Sequence, residues 1–227
     1  MKKVLLFVAA AVMAVSITFA QDDAKAAAKA AKAAAKALKA EIKAANKVLK
    51  EAQAILIAPD GDINRANTLI ESAMENKHTA SNPDTWNTAG QIQKRFYDME
   101  NEKLYLRKLE NPEATPENPD LFYGSLSKMC DYYIKCDELE QLPNAKGNVV
   151  VKYREANKEQ IYTNRVNLLV AGIYYYNMGQ YKDAHKYFSQ YISTASAPML
   201  AEYNITPATD EYLVDYAAFN SVQAGLQ

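Results

Sequence analysis

The chain has 227 residues, 49% hydrophobic and 23% charged, enough to bury one sizeable core or to build a short solenoid. Lys+Arg number 26 against Asp+Glu 27, which leaves no overall field of the kind that holds nucleic acid. Seven glycines and eight prolines suit helices better than a many-stranded sheet, and sixteen tyrosines fit aromatic packing between helices.

Residues 1–20 carry the three parts of a secretory signal. Lys2 and Lys3 precede an apolar run from Val4 to Val15, and small Thr18 and Ala20 stand three and one before a cut ahead of Gln21. The stretch from Val4 to Ala20 is short of the roughly 20 apolar residues a bilayer span needs. Cleavage is the expectation. It would leave a mature chain outside the inner membrane, in the periplasm or cell envelope of a bacterium. No cysteine lies near the cut to carry a lipid anchor.

From Gln21 the composition turns to alanine and lysine. Lysines at 25, 29, 32, 36, 39, 43, 47 and 50 recur every three or four residues, a single stripe down a helix of the best helix former. On another face Leu38, Ile42, Ala45, Leu49, Ala52 and Leu56 keep the same spacing. The rod is therefore expected to pack from Leu38 onward, with residues 21–37 solvated. The lysines read as a solvated face rather than a DNA-binding tail, since arginine and aromatic residues are missing.

Pro59-Asp60-Gly61-Asp62 breaks the rod. Asp60, Asp62, Asn64 and Glu71 stand at four ligand places of a calcium loop, but Arg65 occupies the place where the turn requires glycine. A helix start with Asp62 as cap is the better reading. A long helix is expected from about Pro83 to Leu109. Pro112, Pro116 and Pro119 then forbid a helix over 111–119, and Leu121 to Leu139 supplies its partner. Pro143 to Gly147 is a turn; Val149-Val150-Val151 could open a strand, but Lys152 to Ile161 keeps helical spacing, so a further helix is expected over Val149 to Tyr162. Cys130 and Cys136 lie six residues apart on one predicted helix, a rise of about 9 Å that puts a disulfide out of reach within it; two buried thiols are expected, the alternative being pairing after the helix end frays.

Asn164 to Ile192 reads as two amphipathic helices joined at Met178-Gly179-Gln180. Small residues (Ala171, Gly172, Ala184) and large ones (Tyr175, Tyr181, Phe188) alternate where the rods must touch. This stretch resembles a tetratricopeptide repeat, a 34-residue helix–turn–helix unit. Gly172, Tyr175, Gly179, Tyr181, Ala184 and Phe188 fall on its signature positions; Leu168 replaces the usual tryptophan, and Tyr191 a small residue. Trp86, Ala89 and Gly90 match the same motif in register, and Ala54, Gly61, Ile63, Ala66, Ile70 and Ala73 take its small and apolar places. The resemblance implies an all-α, right-handed superhelix of antiparallel pairs after a long Ala/Lys helix. Its units fall at about 38–83, 84–140 and 164–197, with an incomplete one at 208–227. In the last, Asp210 to Leu226 looks like a first repeat helix whose small face awaits a further helix or a partner.

Two histidines, His78 and His185, with no Ser-centred elbow, phosphate loop or metal-ligand spacing, offer nothing that resembles an active site. No enzyme and no cofactor are expected. What the resemblance implies is protein binding in a groove lined by first helices: Asn87, Gln91 and Lys94 in one unit, Val166, Leu169, Ile173 and Tyr176 in the next. The basic clamp by which some family members hold a carboxylate is not carried over, because Asn87 and Ile173 stand at its places. The expected function is a non-enzymatic scaffold that binds another exported protein or peptide. The alternative is a glycan-binding accessory protein of an outer-membrane uptake system.

Overall fold

The computed structural model describes residues 21–144, 146–203 and the single positions 205, 220, 222, 223 and 225. The signal-peptide expectation for residues 1–20 lies outside the described residues, as does most of the final helix expected from Asp210. Every regular element among the described residues is helical. In chain order these are α1 (Gln21–Ile57), α2 (Ile63–Glu75), α3 (Pro83–Glu110), α4 (Pro119–Glu140), α5 (Arg154–Asn164), α6 (Val166–Asn177), α7 (Tyr181–Ala195) and a 3-10 helix, Pro198–Tyr203.

Local chemistry sets the starts. The Asp62 carboxylate accepts from the amides of Asn64 (3.0 Å) and Arg65 (3.1 Å), so the acidic turn is used to cap α2. Asn82 accepts from the Asp84 amide at 3.0 Å, and Asn118 from the Leu121 amide at 3.1 Å. Each is followed by proline at the first helical position, where a missing N–H costs nothing. Between α6 and α7 the chain reverses through Gly179, whose φ of 72° is disfavoured for residues with a Cβ.

Consecutive helices pack as hairpins: α1 with α2, α3 with α4, α6 with α7. One core gathers Leu49, Ala52, Ile70, Ala73, Ile92 and Phe96; the other, rich in rings, holds Tyr97, Phe122, Leu126, Met129, Tyr175 and Phe188. Both draw on α3, which ties the first hairpin to the rest. A buried Phe or Leu of this kind contributes about 1.5–3 kcal/mol over leaving it in water.

Two expectations change. Leu38 is only half-buried and Ile42 is 37% exposed; full burial on α1 begins at Ala45. The cause is length: α2 has 13 residues and reaches only the last part of a 37-residue partner. The second correction concerns the helix expected over Val149 to Tyr162, which starts at Arg154 instead. Glu140 explains the delay. Its carboxylate accepts from the Lys152 amide at 2.8 Å and the Tyr153 amide at 2.9 Å, which holds these amides out of the helix and leaves Val149 to Val151 outside any regular element and exposed.

Candidate docking surface

The hairpin of α6 and α7 closes because Gly172 has no side chain. A Cβ there would sit 2.8 Å from Cγ of Phe188 and nearer still to two other ring carbons. Gly90 has the same relationship with Tyr133 between α3 and α4. Ala184 is fully buried opposite, and Leu168, at the place of the motif's tryptophan, is fully buried as well. Tyr175 stacks on Tyr187 at 5.3 Å and donates its hydroxyl to Asp120 at 2.7 Å, joining α6 to the start of α4. Burial pushes the phenols of Tyr97, Tyr123 and Tyr187 up to about 12. Tyr191, large where the motif is small, is accommodated under the Arg165 guanidinium, 4.2 Å from its ring centre. The other signature residues also serve packing. Trp86 donates its indole N–H to the Ala80 carbonyl at 2.7 Å and meets Tyr132 edge-on, and Tyr181 meets Tyr176 edge-on at 5.3 Å.

Packing of this kind decides which groove positions reach the surface. Asn87 and Leu169 are each only 5% exposed, so neither presents itself to a partner. The Asn87 side-chain oxygen Oδ1 has no hydrogen-bond partner among the described residues. Gln91 is exposed, while Lys94 is half-buried and paired with Asp98 at 2.6 Å. On α6, Val166 is 44% exposed, and Ile173 and Tyr176 are half-buried. Tyr97 on α3 accepts from the Asn167 amide group at 2.8 Å, a side-chain link between α3 and α6.

Sequence reasoning missed Val170, which is 45% exposed. Val166, Val170 and Ile173 stand at i, i+4 and i+7, one line on α6 that is exposed at the two valines and half-buried against the core at Ile173, whereas Leu169 is rotated fully inward. The spacing itself carried that signal. A second feature was also missed. Tyr162 stacks on Tyr203 with ring centres 4.0 Å apart, beside a cavity of about 480 Å³ lined by Thr163, Val166, Tyr191 and Ile205.

The buried polar groups are structural. Arg154 grips Asp137 through two bonds of 2.6 and 2.8 Å, and the Tyr153 hydroxyl donates to Asp84 at 2.6 Å. Together they fasten α5 to the ends of α3 and α4. Cys130 and Cys136 are buried free thiols on α4, pushed up by desolvation, which keeps the reactive thiolate scarce. His78 lies 3.3 Å from Glu41, bracing the loop after α2 against α1. No family model, curated protein or solved structure matches the chain, so any function has to be argued from this geometry.

Proposed function

We propose that the chain is a non-catalytic docking module of the bacterial envelope, built on tetratricopeptide-like hairpins and holding a peptide or protein of another exported chain against α6. The observation that carries this reading is the line of Val166, Val170 and Ile173. Val166 and Val170 are exposed apolar side chains on a helix whose opposite face is locked in the core, and half-buried Ile173 continues their line where it meets that core. Gln91 and Lys94, the polar groove positions, stand on α3, which the Tyr97–Asn167 bond links to α6. A segment with apolar side chains at alternate or helical spacing fits such a surface.

The test is affinity capture from envelope extracts with the wild-type chain and with Val166→Asp or Val170→Asp, both exposed positions. A specific partner lost in both variants, at unchanged thermal stability, supports docking on α6. Capture that is non-specific, or a partner retained by both variants, removes this reading.

The stacked pair Tyr162 and Tyr203 favours a second reading, in which a sugar ring lies against an aromatic platform and the adjoining cavity. Glycan-array binding abolished by Tyr162→Ala would select it; an empty array would dismiss it.

A further inference from the structure

The lysines of α1 are organised more strictly than solubility requires. At 100° per residue, the seven from Lys29 to Lys50 fall within an arc of about 80° and extend over roughly 32 Å. All seven are exposed. The nearest acids on the helix are engaged elsewhere: Glu41 with Lys77 and His78, Glu51 with Arg65. Among the described residues none of the seven lysines has a carboxylate within ion-pair distance. Diametrically opposite lie Ala45, Leu49 and Ala52, buried against α2. Because α1 is one continuous helix, this packing aims the whole stripe away from the body. The body has the opposite balance: beyond Ile57 the chain carries 16 basic and 23 acidic residues.

We propose that the lysine face of α1 is a landing surface for an anionic phospholipid bilayer, with the acidic body held on the far side. A straight rod with its charges in one narrow arc can lay all of them on a plane together. The stripe has no arginine to reach the base edges of a nucleic-acid duplex. Alanine methyls border most of the stripe and α1 contains no aromatic residue, so the rod rests on headgroups and does not insert. The attraction is the sum of weak terms, one per lysine, and is screened by salt. This inference stands apart from docking on α6 and holds whatever occupies that helix.

The experiment is co-sedimentation of the protein, in the form recovered from cells, with vesicles of phosphatidylglycerol in phosphatidylcholine and of phosphatidylcholine alone. Binding is expected to the anionic vesicles above any binding to neutral ones, and to fall at high salt. The combined Lys32→Gln, Lys36→Gln, Lys39→Gln variant should bind on the order of 100-fold more weakly, with its helicity by circular dichroism kept. The matching arginine variant should bind like wild type. Neutralising Lys108, Lys128 and Lys182 on the body should change little. Equal binding by the glutamine variant overturns the proposal. So does tighter binding to duplex DNA than to anionic vesicles, or salt-sensitive self-association that consumes the same lysines.

Discussion

Tyr133 lies across the backbone of Gly90 so closely that a Cβ there would be 3.1 Å from Cζ and nearer still to Cδ1 and Cε1. Phe188 does the same over Gly172. Neither ring can step aside, since both are buried in close-packed surroundings. Gly90→Ala and Gly172→Ala should each cost about 1–3 kcal/mol, the usual penalty of overpacking. Gly124 on α4 has nothing within 4 Å of its would-be Cβ, so Gly124→Ala should stabilise by up to about 1 kcal/mol through helix propensity. Urea unfolding of the three variants checks the contrast, and equal effects would show that helix propensity alone is being read.

These contacts also show what the sequence could convey. Gly172 with Phe188, and the turn at Gly179, were legible because small and large residues recurred at fixed intervals along one stretch. Trp86 and Gly90 were legible for the same reason. The start of α5 was not, because the group that delays it, Glu140, is twelve residues away from Lys152 and acts through space. Asn87 and Leu169 were assigned to the groove because a motif position says which way a residue faces in an average repeat, although packing of Val166 and Leu169 on an adjoining helix was an equal alternative. The close approach of α3, α4, α6 and α7 here turns both inward. Val170 was overlooked for the converse reason: it lies outside the motif's groove positions, yet packing leaves it facing out.

The Glu140 carboxylate also supports a prediction. It accepts three bonds from two backbone amides, at 2.8, 2.9 and 3.1 Å, while itself only 3% exposed. Glu140→Gln removes the charge and about half of the accepting capacity, at an expected cost of roughly 1–3 kcal/mol. The loss should be local. Hydrogen exchange at the Lys152 and Tyr153 amides is expected to accelerate well before exchange in α3 or α6. Uniform acceleration along the chain would show that Glu140 supports the whole fold and is not simply a remote cap.

On α1, residues between 28 and 44 contact little except through Glu41, which meets Lys77 and His78. A helix held by alanine propensity without tertiary packing is only marginally stable in water. Brief trypsin digestion should therefore cut among Lys29, Lys32, Lys36 and Lys39 first, leaving a resistant fragment that retains Ala45 and everything packed on it. Mass spectrometry of the early fragments decides. First cuts within α3 or α4 would mean that the projecting helix is protected by contacts made in solution.

Alkaline pH should weaken the ring-rich core. Desolvation pushes Cys136 from 9.0 to about 12, and Tyr97, Tyr123 and Tyr187 from 10.0 to about 12; Cys130, Tyr133 and Tyr175 move in the same direction. In each case the unfolded chain loses its proton at a pH where the folded chain still holds it. The folded state then binds more protons than the unfolded one, and stability falls as pH rises. The decline should begin near pH 9 with the thiols and steepen above 10 as the phenols join. Each group adds up to about 1.4 kcal/mol per pH unit until its folded value is reached. Replacing Cys130 and Cys136 with alanine should flatten the first part of the decline and leave the second unchanged. Melting temperatures recorded from pH 7 to the alkaline limit provide the check, and a curve that stays level past pH 10 would mean that these side chains reach water in the native state.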